Sequence, residues 1–379
     1  MATAGNILPN GNDMDVVKSI HDLSVGRRIR QNKTAYTATS FETAHARRPR
    51  YPYKRRRWTV RNSSIHRTAA TFVILASLVT TLTVCASRTS SQARTLEVGP
   101  GKPFAFPSEA AAVTNDGDHI EIAAGTYVDC AVWRSDHLVI EGIEPGVVIS
   151  DRTCLGKGLF VIIGHDVTVR NLTLARARVP NKNGAGIRQE GRNLTVERVK
   201  FFDNENGILS NSFANSSVII RDSEFERNGR CAEFCAHGVY FGKIAMLRLE
   251  HSRFFETQQG HHIKSRAART EVVDNQIADG AIGTSSYLID APDGGSLMVR
   301  GNNLEKGPRS ENPRAAIAIG EESLTQPTEE IIVEKNVLKN DGNYETALIW
   351  NVTATPARLK ENTLIGPIVP IKGEGEVRR

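Results

Sequence analysis

From about residue 117 onward, apolar residues recur in short alternating stretches separated by polar, often Asn-bearing corners. Eight stretches stand out: TVRNLTL (168–174), TVERVKF (195–201), IIRDSEF (219–225), LRLEHSRF (247–254), EVVDNQI (271–277), MVRGNNL (298–304), IVEKNVL (332–338) and LKENTL (359–364). Their final apolar residues are Leu174, Phe201, Phe225, Phe254, Ile277, Leu304, Leu338 and Leu364, spaced by 27, 24, 29, 23, 27, 34 and 26 residues. Alternation with a period of two predicts strands rather than helices. One such unit cannot bury its own apolar face, so this period predicts a stack of coils. Leucine-rich repeats share the period, but their LxxLxL frame is missing here. The pattern predicts an all-β fold, a right-handed parallel β-helix (solenoid). Ile, Val, Leu and Phe face inward, and Asn corners bond the backbone of the neighbouring coil. Ahead of the repeat, Ser108 and Glu109–Val113 predict a short helix capping the first coil.

A second alignment locates candidate chemistry. GAGIRQE, ENGILSN, AHGVYFG and GHHIKSR align on the inward residues Ile187, Ile208, Val239 and Ile263, separated by 21, 31 and 24 residues. SSYLIDAP, aligned on Ile289, continues the series. Neighbours of an inward residue point outward. Arg188, Leu209, Tyr240, Lys264 and Asp290 then form one outward column, and Glu190, Asn211, Gly242 and Arg266 a second. Gly186, Gly207, Gly238 and His262 form a third. A one-residue slip would turn Asp290 inward. Strands lie about 4.8 Å apart, so Tyr240, His262, Lys264, Arg266 and Asp290 are expected to converge as catalytic residues. Arg188, Glu190, His237 and His261 are the expected substrate-binding residues. The three glycines are expected to leave room for a chain lying across the coils. The bland alternatives are a solvated Lys/Arg face, a structural histidine ladder at 237 and 261, and a simple turn after Asp290.

Charge is unevenly placed. Residues 1–68 hold 14 Lys/Arg against 4 Asp/Glu, while the remaining 311 hold 34 against 38. The basic balance therefore belongs to the first segment, read as a disordered or mis-started extension. The mildly acidic body excludes a broad nucleic-acid-binding surface. Phosphate-binding loops, GxGxxG after a strand, HExxH and paired CxxC are all missing, which argues against common nucleotide enzymes and zinc sites. No cofactor and no metal are expected. Residues 69–86 are an uncharged apolar run, short for a membrane span. With small residues following, 69–93 reads as a signal peptide, or else as an inner-membrane anchor. The body, 94–379, is then expected to be periplasmic or secreted, touching a membrane only through an uncleaved run. A capped solenoid has little edge to pair, so a monomer is expected.

Export bears on the cysteines. Cys130 and Cys154 lie 24 residues apart, one coil, and Cys231 and Cys235 close a small loop. In an oxidising compartment these form two disulfides; the rival reading is four free thiols or a metal site.

DGDHIEIAAGTY (116–127) resembles the opening of pectin-lyase-like β-helix proteins. Residues 95–365 resemble a bacterial family of right-handed parallel β-helix repeat proteins in that superfamily. The resemblance is carried by AAGTYVDCAVW (123–133), RNLTLARARVPNKNGAGIR (170–188), FFDNENGI (201–208), CAHGVYFGKIA (235–245), GHHIKSRAARTEVVDN (260–275), GTSSYLIDAPDGGS (283–296) and EKGPRSENPRAAIAIGEE (305–322). Relatives in the superfamily include polysaccharide lyases, glycoside hydrolases, pectin esterases and mannuronan epimerases, most acting on uronic-acid polymers. The resemblance therefore implies an acidic polysaccharide partner. No DPHD phrase, stacked Asp/Glu calcium cage or paired polygalacturonase Asp residues are found, which leaves a metal-independent lyase as the first reading. In it Arg266, assisted by Arg188, neutralises a uronate carboxylate. Lys264 or His262 is the base, with the lysine pKa lowered by adjacent cations. Tyr240 protonates the leaving oxygen, and Asp290 orients His262 or Lys264. The alternatives are a glycoside hydrolase using Glu190 and Asp290, and a non-catalytic glycan-binding or envelope scaffold.

Overall fold

The computed structural model describes residues 93–378. The expectations for the basic segment and for the apolar run 69–86 lie outside the described residues. Among the described residues no helix is long and apolar enough to cross a membrane.

The chain winds through three parallel sheets of twelve, ten and ten strands. Successive strands pass from sheet to sheet, and each pairs with its equivalents one coil before and one coil after. Leu194–Glu197, for example, pairs with Val167–Arg170 on one side and Ser217–Arg221 on the other. All eight final apolar residues of the repeat fall in one register line, from Leu174 to Leu364, despite their unequal spacing. Phe201, Phe225 and Phe254 stack face to face within that line, with ring centroids 4.6 and 4.5 Å apart. These rings are fully buried and run along the axis of one continuous apolar core.

The Asn corners work as the pattern predicts. Several turns open with a left-handed residue, such as Asp222, Asp274 or Lys335, at φ between 52 and 57°. Such a conformation is disfavoured for L-residues. The next residue offsets that cost with a side-chain ladder. Asn275 Oδ1 accepts from Ser252 N, Asn302 Oδ1 from Asn275 N, Asn336 Oδ1 from Asn302 N, and Asn362 Oδ1 from Asn336 N, at 2.9 to 3.0 Å. Buried backbone amides that the turn would otherwise orphan are thereby satisfied.

The short helix forms at Pro107–Ala111, one residue earlier than the sequence predicts and ending before Val113. Pro107 suits a first helical turn because its missing N–H has no intrahelical partner there. Asp129 accepts from Ser108 N at 2.8 Å and Glu109 from Ala105 N at 2.7 Å, while Ala110 and Ala111 enter the core. Both expected disulfides form. Cys130–Cys154 joins adjacent coils, and Cys231–Cys235 closes the loop before strand Val239–Phe241.

Candidate functional site

The second alignment corresponds to the register of one ten-stranded sheet. Ile187, Ile208, Val239, Ile263 and Ile289 pair in sequence, all facing the core, and Lys264 pairs with Asp290. Tyr240, Lys264 and Asp290 therefore stand side by side on three consecutive strands, Val239–Phe241, Ile263–Ser265 and Ile289–Ala291.

Their side chains meet partners from the turns that follow. Lys264 Nζ lies 3.1 Å from Asp290 Oδ2 and 2.5 Å from Glu322 Oε1. Arg266 Nε donates to the Tyr240 hydroxyl oxygen at 2.8 Å, and the same guanidinium holds Asp293 and Glu322. Both cations also lie near the Tyr240 ring, 5.9 and 5.7 Å from its centroid. Glu322 comes from the turn after strand Ala315–Ile319. That turn is strapped over the strand ends. Glu322 N and Ser323 N donate to Pro292 O, Ser323 Oγ and Thr325 Oγ1 donate to the Asp293 carboxylate, and Gln326 Nε2 donates to Arg266 O at 3.0 Å. The Asp290 side chain is 1% exposed and that of Glu322 is 44% exposed. Glu322 is thus the solvent-facing end of the cluster and Asp290 its floor.

The electrostatics follow from this layering. Burial works to lower the Lys264 pKa, but Asp290 and Glu322 outweigh it and the ammonium is held above its ordinary value. Burial and then the neighbouring Glu321 push the Asp290 carboxyl well up, against the pull of Lys264. Burial also disfavours ionised Glu322, yet Lys264 and Arg266 hold it below the ordinary carboxylate range. Asp290, Glu321 and Glu322 bring oxygens within 4.8 Å of one another, and the Lys264 ammonium contacts two of the three.

Several expectations need correction. Lys264 is not a lysine with a lowered pKa, because its nearest charges are carboxylates rather than cations. His262 does not join Lys264 and Arg266 on the outer face. It is fully buried, with Nδ1 2.8 Å from Thr257 Oγ1 and Nε2 3.1 Å from Asp279 Oδ1. The pleat begins only at Ile263, and equivalent residues in later coils, Leu288, Ala316 and Leu348, are core. The glycines of that column face inward too. A Cβ on Gly186 would stand 2.8 Å from the Phe201 ring, and one on Gly207 2.8 Å from the Phe225 ring. Gly186 and Gly207 make room for the phenylalanine stack, and Gly238 for the backbone of His262, not for a ligand.

Arg188 and Glu190 form a separate cluster. Arg188 Nε and Lys157 Nζ donate to Glu190 Oε1 at 2.9 and 2.7 Å, and Asn211 Nδ2 donates to Glu190 Oε2. Three strand steps separate Arg188 from Lys264, about 14 Å, so Arg188 cannot assist Arg266 at one carboxylate. Four steps separate Glu190 from Asp290, about 19 Å, well beyond the roughly 5–9.5 Å of a glycosidase pair.

His237 and His261 stack at a turn, rings 5.0 Å apart, and Tyr287 continues the stack at 5.4 Å. Each Nδ1 accepts a backbone N–H from the following coil, His261 N and Tyr287 N respectively, at 3.0 Å. That leaves the proton on Nε2, and His261 Nε2 lies 3.3 Å from Asp290 Oδ2. Burial, with Lys264 and other nearby groups, pushes both histidines well below their ordinary pKa. His261 is thereby a neutral partner to the Asp290 carboxyl, and His237 supports His261 from the preceding coil.

Sequence reasoning missed Asp293, Glu321 and Glu322, and a buried network beneath the sheet. There Asp279 contacts His262, Ser285 and Gly307 N, with Lys306 Nζ 3.9 Å away. Burial pushes Lys306 down to about 8, Asp279 only partly opposing it. The IGEE doublet (319–322) was the signal for Glu321 and Glu322. Period arguments pass over it because it lies in a turn.

No curated protein matches the chain. Among solved structures, an alginate lyase from Paenibacillus sp. strain FPU-7 is similar at 14% identity and TM-score 0.43, covering 74% of this chain and 99% of that one. A pectin methylesterase mutant in complex with a hexasaccharide is similar at 12% identity and TM-score 0.29, covering 72% of this chain and 79% of that one. Residues 127–304 match the family described as right handed beta helix region. Over that stretch the chain is similar to that family, and with its three parallel sheets and one register per coil it has the fold of a right-handed parallel β-helix.

Proposed function

We propose that this chain is an exported carbohydrate-active protein, a metal-independent lyase of a uronate-containing polysaccharide. One observation carries the reading: Lys264 and Arg266, two residues apart on one strand, close on a single solvent-facing carboxylate beside the Tyr240 hydroxyl. Such a pocket suits a sugar carboxylate. Neutralising that carboxylate acidifies the proton on the adjacent carbon, and the fixed charges are in place before negative charge develops. The proton then leaves that carbon, the bond from the next carbon to the glycosidic oxygen breaks, and a double bond forms between the two carbons.

Lys264 and Arg266 bind and neutralise the carboxylate. Asp290, backed by His261, holds the Lys264 ammonium in place. Tyr240 is the group placed to take the proton and return it to the leaving oxygen, since Arg266 Nε occupies one side of its hydroxyl. Proton transfer of this kind requires hydrogen-bond reach, which the outer-face position of Tyr240 allows. The test is ultraviolet absorbance of unsaturated uronide while residues 94–379 meet a panel of acidic polysaccharides. A rise with one polymer, lost in Tyr240→Phe and Arg266→Ala, is expected. A product with a new reducing end and no chromophore would replace the lyase with a hydrolase. Binding without any turnover would favour the scaffold reading.

A further inference from the structure

We infer that Glu322, presented by the strap-like turn 320–326, is a built-in occupant of the carboxylate pocket, and that an acidic sugar must displace its carboxylate to enter. The inference rests on the reading of the site as a uronate pocket and adds how access to it is regulated.

Three features of the site converge. First, the Glu322 carboxylate takes one oxygen to Lys264 and the other to Arg266, the two-cation grip expected for a ligand carboxylate. Second, it reaches them across 58 and 56 residues of chain, from a turn and not from the sheet that carries the cations. The pocket can therefore be emptied without altering a strand. Third, Glu322 remains substantially exposed while Asp290, on the opposite side of the Lys264 ammonium, is sealed. Of the two carboxylates on Lys264, only Glu322 can leave and be replaced from solvent.

The strap has its own fastening. Asp293 accepts from Ser323 and Thr325, and Gln326 donates to the Arg266 carbonyl. None of those bonds uses the Glu322 side chain, so its carboxylate can swing out while the turn stays docked. Because Glu322 and an incoming carboxylate need the same cations, occupied and open forms are alternatives. The apparent affinity for ligand is then reduced by the fraction of molecules whose pocket is open.

The experiment measures thermal stabilisation of the full chain by glucuronate, with glucose at matched ionic strength as the neutral control. A ligand that binds the folded state raises its stability by mass action. Glu322→Gln keeps the shape of the turn and removes the competing charge. It is expected to respond to about tenfold lower glucuronate than the wild type, and not to glucose. Ser323→Ala with Gln326→Ala, which loosens the strap but keeps Glu322, is expected to shift the response in the same direction by less. Lys264→Met in the Glu322→Gln background is expected to abolish it. Equal glucuronate responses in wild type and Glu322→Gln would overturn the strap and leave the uronate pocket standing. A response to glucose as strong as to glucuronate, or none to either in Glu322→Gln, would overturn both. Loss of turnover in Glu322→Gln with unchanged glucuronate response would move Glu322 into the catalytic machinery and overturn its role as an occupant.

Discussion

Replacing Asn302 tests the corner ladder that holds the coils in register. Asn302 Oδ1 accepts from Asn275 N and Asn275 Nδ2 at 2.9 and 3.1 Å. Its own Nδ2 donates to Val272 O, Arg300 O and Asn336 Oδ1 at 2.8, 3.0 and 2.9 Å. Asn302→Ala strands the buried Asn275 N–H, an orphan worth about 1–3 kcal/mol, and removes side-chain bonds each worth about 1 kcal/mol net. The expected loss is about 3 kcal/mol. Asn302→Ser should recover part of it, because Ser252 Oγ already accepts from Ser223 N in an equivalent corner at 3.1 Å. Asn302→Asp keeps the acceptor but turns a second oxygen toward three acceptors. Its folded pKa must therefore rise above its unfolded value. The stability it retains is present at acid pH, where it is protonated, and is lost as pH rises through the folded pKa. Urea unfolding followed by circular dichroism, at mildly acidic and mildly alkaline pH, reads the order directly. The expected order in alkali is wild type, Ser, Ala, Asp, with Asp recovering in acid. An alanine variant within about 0.5 kcal/mol of wild type, the range of an ordinary surface change, would refute the ladder as a stabilising element. So would an aspartate variant that matches serine in alkali.

Two further outcomes follow from the same geometry. Gly207→Ala places a methyl 2.8 Å from the Phe225 ring and is expected to cost about 1–3 kcal/mol by overpacking; unchanged urea stability with altered ligand binding would return that glycine to the outer face. Cys130→Ser opens a bridge spanning 24 residues and is expected to cost about 3 kcal/mol by the loop-entropy relation, with at least that loss in the native chain under reductant, which also opens Cys231–Cys235. Equal unfolding midpoints with and without reductant would contradict it.

The coil architecture was legible because a solenoid writes its register into the sequence. The final apolar residues from Leu174 to Leu364 and the anchors from Ile187 to Ile289 pair as their patterns imply. Burial of one face leaves little freedom to slip. The same logic failed at His262, Gly186 and Gly207, where the chain is still turning into the sheet and strict alternation does not yet hold. It failed again for the charge state of Lys264, because Glu322 lies 58 residues away in a turn whose placement no periodicity records. Lys306 escaped for a related reason. A lysine between a strand and a turn reads as surface, and only the packed structure shows it sealed over Asp279.

Leu304 and Leu338 occupy adjacent rungs although they stand 34 positions apart, whereas Phe254 and Ile277 do so at a separation of 23. The stack therefore counts rungs and ignores contour length. Surplus chain is ejected at a corner, and the ejection between Ile319 and Ile331 carries Glu321 and Glu322. A scaffold of this kind separates the inheritance of shape from the inheritance of specificity. Insertions and deletions at one corner could retune which ligand is admitted there while every rung keeps its neighbours. For an engineer, grafting a shorter or neutral turn between Ile319 and Ile331 is a change of lock that leaves the door frame untouched.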